Sequence, residues 1–176
     1  LENLKENLRV VVKIGLDMYL SRHRFLWGNE RGKVKITGIK GIQNKRVEKI
    51  VEEVMYWRKM NAIHSWFVRT VQAGKDDCGE YQVSEEQLQE LVDMIDKILN
   101  NPKIIKERVL LALKDDDTEI DSNLVKKLLP TESGFFFGGT SYNIYYFNEL
   151  DRTRKELKIL LKENNDDFEF YYMSSW

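Results

Sequence analysis

The chain has 176 residues, 42% hydrophobic and 32% charged, which places it among ordinary globular proteins and excludes a disordered polyelectrolyte. A formal net charge of -1 argues against general nucleic-acid binding, which needs a surplus of Lys and Arg, although a local basic patch is compatible with it. Cys78 is the single cysteine and His23 and His64 the two histidines, so an intrachain disulfide is impossible and a structural zinc site is not expected.

No apolar run approaches the roughly 18 residues that span a bilayer, and Leu1 to Ile14 lacks a signal-peptide layout. A cytoplasmic protein is the expectation, with residues 1–14 a leader or extension and 15–176 one domain.

In chain order, Leu16 to Ser21 alternates apolar and polar residues as a strand does. Lys33 to Ile39 repeats the alternation through Val34 and Ile36, with Gly28, Gly32 and Gly41 punctuating the flanking loops. From about Arg46 to Val71 the apolar spacing becomes helical. Ser84 opens a further helix, with Gln87 three residues on as a capping box, running through Leu88, Leu91, Ile95 and Leu99. Lys103 to Leu129 is expected to be helical in pieces, interrupted by a solvated acidic loop at Asp115, Asp116 and Asp117. Gly134 to Gly138 brackets three phenylalanines, expected as a short buried strand. A helix from about Tyr145 to Glu163 and an aromatic strand from Phe168 to Ser174 complete the chain. These elements predict an α+β fold: a small, mostly antiparallel sheet with helices packed on one side.

Within the long predicted helix, the inward stripe reads Val47, Ile50, Val54, Trp57, Asn61, His64, Val68, Val71. Two consecutive members are polar where patterning wants apolar groups. An unpaired buried amide costs about 1–3 kcal/mol, so Asn61 and His64 need partners. One reading is a closed internal network, with Asn61 holding a loop backbone. The other is a ligand pocket into which Arg58, Asn61 and His64 point, His being suited to proton transfer or metal ligation near neutral pH. Trp66 falls on the outward half of the same helix, where it caps another layer or marks a partner surface, layer packing being the more usual case.

Two loops extend the candidate site. Asp76, Asp77 and Glu80, framed by Gly74 and Gly79, are candidate ligands for a hard divalent cation or simply a tight turn. Cys78 as a nucleophile with His64 as its base is a weaker alternative. In the second loop, Gly138, Gly139, Thr140, Ser141 and Tyr142 lead into a helix, the arrangement that cradles an anion on free backbone amides. It lacks a Walker lysine and a GxGxxG pattern, and a capped strand-to-helix turn explains it equally.

The strings GLDMYL (Gly15 to Leu20), YWRKMNAIHSWFV (Tyr56 to Val68), DDCGEY (Asp76 to Tyr81), LLPTESGFFFGGTSY (Leu128 to Tyr142) and FYYMSSW (Phe170 to Trp176) resemble a family encoded by bacteriophages and prophages that has no assigned activity. Residues 1–14 and 103–125 lie outside these strings. The resemblance implies an accessory protein acting in the bacterial host cytoplasm, a dispensable leader before Gly15, and no catalytic residue or cofactor to carry over. Three functions follow as expectations. The first is a protein that binds a small anionic or nucleotide-like ligand, or a host protein. The second is a metal-dependent hydrolase, phosphoesterase or nuclease, and the third an interaction module without a ligand site.

Overall fold

The structure is a computed structural model describing residues 15–113, 118–165 and 167–176; the expected leader at 1–14 and the acidic run Asp115 to Asp117 lie outside them. Four strands, β1 (Asp17–Phe25), β2 (Lys49–Arg58), β3 (Tyr81–Val83) and β4 (Glu169–Ser175), form one antiparallel sheet in the order β2-β1-β4-β3. Five helices accompany them: α1 (Asn61–Thr70), α2 (Glu85–Leu99), α3 (Pro102–Leu111), α4 (Asn123–Leu128) and α5 (Ile144–Glu163). The fold is α+β, with the helices on one face.

Period-2 alternation explains that asymmetry. Met18 and Leu20 on β1, Met55 and Trp57 on β2, and Phe170 and Tyr172 on β4 are all buried beneath the helices. Their neighbours Tyr19, Tyr56 and Tyr171 turn to the opposite face and stay half-buried. Phe67 of α1 lies flat on Tyr172, with ring centroids 3.9 Å apart and planes 7° from parallel. Each such buried aromatic stabilises the fold by about 1.5–3 kcal/mol. Trp57 also donates from Nε1 to the buried Thr153 hydroxyl at 2.8 Å, pinning α5 to the sheet. Helix α2 packs along α5, its apolar stripe of Leu88, Leu91, Val92, Ile95 and Ile98 fully buried.

Local signals set the helix ends. The Ser84 hydroxyl accepts from the Gln87 amide while the Gln87 side chain accepts from the Ser84 amide, which is the expected capping box. Asn101 caps α3 through the Lys103 and Ile104 amides, and Pro102 sits at its first position, where a missing N–H is harmless.

Three expectations need correction. Arg46 to Val71 is not one helix: its first half is β2, and α1 begins only at Asn61. The cause is a bulge. Leu20 pairs with Met55 but Ser21 pairs with Glu53, leaving Val54 as an extra residue. That insertion converts a strand's inward period into the spacing Ile50, Val54, Trp57, which imitates a helix. Lys33 to Ile39 belongs to no strand, because the long β1–β2 connection supplies no partner for it. The Phe135–Phe137 segment is a turn, closed by the Phe137 amide on the Gly134 carbonyl at 3.1 Å, and Phe135 is 95% exposed. Trp66 is buried with its ring edge-on to Phe67, the layer packing expected for it.

No helix of the described residues is long and apolar enough to cross a membrane.

Candidate functional site

Asn61 and His64 are both buried, at 2% and 1% exposure, so the two polar residues do interrupt an apolar face. They serve different neighbours. Asn61 donates from Nδ2 to the carbonyls of Phe137 (3.0 Å) and Gly139 (2.8 Å), and its Oδ1 accepts from the Glu132 amide at 3.0 Å. One carboxamide thus fixes three points of the loop from residue 130 to residue 140.

His64 faces the sheet. Its Nε2 lies 3.0 Å from Asp76 Oδ2 and its Nδ1 2.8 Å from the Tyr172 hydroxyl. An ionised carboxylate only accepts, so Nε2 carries the proton and Tyr172 donates to Nδ1. Asp76 is held in turn by Trp176, whose Nε1 donates to Oδ1 at 3.1 Å. Burial, with the Asp76 charge second, pushes the Tyr172 hydroxyl well above its ordinary range, so it stays protonated and donates. With both ring nitrogens engaged, His64 has no free edge for a substrate. The expected pairing of His64 with Cys78 fails for this reason.

The three carboxylates proposed for a cation are not brought together. Asp76 turns inward to His64, and Asp77 folds back on the Gly79 amide and the Tyr81 hydroxyl. Glu80 reaches toward His23, 3.8 Å away. Among the described residues no three His, Cys, Asp or Glu side chains are grouped to hold a metal ion. Hydrogen bonds take the oxygens of Asp76 and Asp77, and the turn, with Cys78 at φ +56°, sends Glu80 away from both.

A cavity of about 300 Å³ lies on the other side of Asn61. Arg58, Lys59, Met60 and Asn61 form one wall, Thr131, Gly138, Gly139 and Ser141 a second, and Asn143, Tyr145 and Tyr146 of the α5 start a third. Five of the eight residues expected to bind a ligand therefore line it: Arg58, Asn61, Gly138, Gly139 and Ser141. His64, Thr140 and Tyr142 do not. Tyr142 is buried and receives the Thr131 amide on its hydroxyl, while the Thr140 carbonyl accepts from the Thr131 hydroxyl.

The cavity's polar groups are unevenly committed. Arg58 is paired with the buried Asp17 at 3.0 Å, and Asp17 also accepts from the Tyr56 hydroxyl. Tyr145 donates to the Arg58 carbonyl at 2.8 Å, bridging α5 to the end of β2; burial, then Glu149, raises its pKa. The Ser141 hydroxyl is taken by Glu119 at 2.6 Å. Lys59, by contrast, is exposed and its ammonium has no partner among the described residues. It also adopts φ +56°, a left-handed conformation that costs a non-glycine residue about 1–2 kcal/mol.

Gly138 explains how the loop comes so close. At φ +86°, a Cβ there would lie 2.9 Å from Lys59 Cβ. The loop's carbonyls at Phe137, Gly139 and Thr140 are bound by Asn61 and Thr131. Its amides from Gly138 to Ser141 have no acceptor among the described residues. Lys59 is absent from the expected site, although two adjacent cations, Arg58 and Lys59, before a helix start were an available signal for it.

No protein-family model, curated protein or solved structure matches this chain. The strings that carry the phage-family resemblance do meet in space. The Lys59 amide donates to the Leu16 carbonyl, the Leu16 amide to Phe136, Asn61 bonds the 130s loop, and His64 joins Asp76 to Tyr172.

Proposed function

We propose that the protein binds a small anionic ligand, of phosphate or nucleotide type, in the cavity between Lys59 and the Gly138–Ser141 loop. The observation that carries this is the division of labour within the loop: carbonyls bound by protein side chains, amides left open beside an unpaired ammonium. Amides in sequence with one cation are a general means of holding an anion's oxygens. Tyr145 and Tyr146 offer ring surface next to them, suited to the organic part of a nucleotide-like ligand. The resemblance to phage- and prophage-encoded proteins supports an accessory role in a bacterial host cell. The hydrolase alternative has less behind it, since Asp76 is committed to His64, Asp77 to its own turn, and Glu80 points toward His23.

Calorimetric titration with inorganic phosphate, pyrophosphate and nucleoside phosphates tests the proposal. Binding should occur and should weaken about tenfold in Lys59→Gln, the loss of one charge-assisted contact. No heat from any of these anions, and no rise in melting temperature with them, would leave the interaction-module alternative in its place.

A further inference from the structure

The connection between β1 and β2 runs from Leu26 to Glu48, and between Trp27 and Lys49 no residue is buried. Beyond Leu26 it contributes nothing to the core. From Arg31 to Val47 it contains no carboxylate, yet it carries Lys33, Lys35, Lys40, Lys45 and Arg46, all exposed and all without an ionic partner among the described residues. The overall charge of -1 conceals this segregation: Glu85, Glu86, Glu90 and Asp93 lie together on α2, on the helix side of the sheet.

At the root of this arm is the sheet face opposite the described helices. A row of rings crosses it. Tyr171 stacks on His23 at 4.2 Å, Phe25 follows at 6.3 Å from His23, and Trp27 lies nearly parallel to Phe25 at 6.3 Å. Tyr19 and Tyr56 pair further along the same face, 5.4 Å apart. Trp27 is 71% exposed, and Lys49 sits 5.9 Å over the Phe25 ring.

We propose that this open sheet face and the basic arm together bind single-stranded nucleic acid. The arm's cations, with no carboxylate between Arg31 and Val47, attract a phosphate backbone, and the exposed Trp27 with the half-buried Phe25 and Tyr171 offers ring surface to unpaired bases, His23 lying buried beneath Tyr171. A duplex keeps its bases stacked on each other and would engage the arm alone. A lipid surface would engage the arm and Trp27 too, and vesicle binding distinguishes it. Glu53 on β2, Glu80 beside His23 and Glu169 on the Tyr171 hydroxyl, all exposed, work against binding, so Glu53→Gln, which disturbs neither ring, should strengthen it.

Fluorescence anisotropy with labelled oligothymidylate, oligouridylate and a duplex of equal length, and co-sedimentation with phosphatidylserine vesicles, test this. Both single strands should bind more tightly than the duplex, or one of them should, which assigns DNA or RNA. Replacing Lys33, Lys35, Lys40, Lys45 and Arg46 by Gln should lower affinity roughly a hundredfold at low salt and flatten the salt dependence. Trp27→Ala should lower it about tenfold, the loss of one base-stacking contact. None of these residues is buried, so an unchanged melting temperature should accompany each variant. Absence of strand binding overturns the proposal. So does equal affinity for duplex with Trp27→Ala silent, and so does vesicle binding without strand binding.

Discussion

His64 Nε2 lies 3.0 Å from Asp76 Oδ2, joining the middle of α1 to the loop that follows it. The contact is part of a chain from Tyr172 on β4 through His64 and Asp76 to Trp176. The imidazole is therefore a structural bridge between helix, loop and sheet. His64→Phe, which keeps the ring's bulk against Phe137, should lower unfolding free energy by about 2–3 kcal/mol by leaving the Tyr172 hydroxyl unpaired. A double-mutant cycle with Asp76→Ala should show a coupling of about 1–2 kcal/mol in urea denaturation. Additive losses would mean that the two groups do not support each other.

Asn61 should matter differently. Asn61→Ala strips three hydrogen bonds from the loop beside the cavity. A loss of about 3 kcal/mol in stability is expected, together with weaker anion binding, since the loop's carbonyls would be released to turn. Backbone amide exchange supplies the check: the Glu132 amide, bonded to Asn61 Oδ1, should lose protection in the variant while Leu88 in α2 keeps it. Equal protection at Glu132 would contradict the role assigned to the carboxamide.

Strain at Lys59 predicts opposed effects on stability and binding. Lys59→Gly relieves the left-handed backbone at φ +56° and should raise stability by about 1 kcal/mol. The same change removes the cavity's unpaired ammonium and should weaken phosphate binding. Thermal melts and titrations on one preparation decide the matter. A variant that loses stability would show that the side chain's packing outweighs the backbone cost.

His23 gives the fold a dependence on pH. Burial, then the Lys49 ammonium 3.3 Å from Nδ1, holds its pKa below the ordinary 6.5, while Glu80 and Glu169 oppose the shift. In the interval between the native and ordinary values the unfolded chain binds a proton that the native chain does not. Stability is therefore lost as pH falls from about 6.5 through that interval. Urea midpoints measured from neutral to mildly acidic pH should fall, and the fall should be shallower in His23→Gln. Identical slopes would assign the effect to other groups.

Much of this architecture was legible in the chain. Ser84 and Gln87 announced α2 because a capping box is a local event, and the alternation of Leu16, Met18 and Leu20 announced β1 for the same reason. The β2 error had a physical source: Val54 breaks the two-residue period, and only the β-branched and aromatic content of Ile50, Val51, Tyr56 and Trp57 betrayed a strand. Asn61 and His64 were singled out by counting through that strand, yet their burial holds because both lie on the inward side of α1. Their partners were not legible. Glu132 and Phe137, Tyr172, and Asp76 come from three other segments, and pairing across such distances depends on how the chain closes. The carboxylates at 76, 77 and 80 looked like one site because they are neighbours in sequence; tight-turn geometry sends each in its own direction.

The supernumerary Val54 has a further consequence. Arg58, beside the cavity under Lys59, and Lys49, at the root of the cationic arm, belong to the same strand but stand on opposite sides of the irregularity. A strand that is kinked between them can re-aim one end without disturbing the other. Evolution could therefore lengthen, recharge or rotate the arm while the pocket's walls stay in place, so that one β-ribbon carries two separately adjustable surfaces.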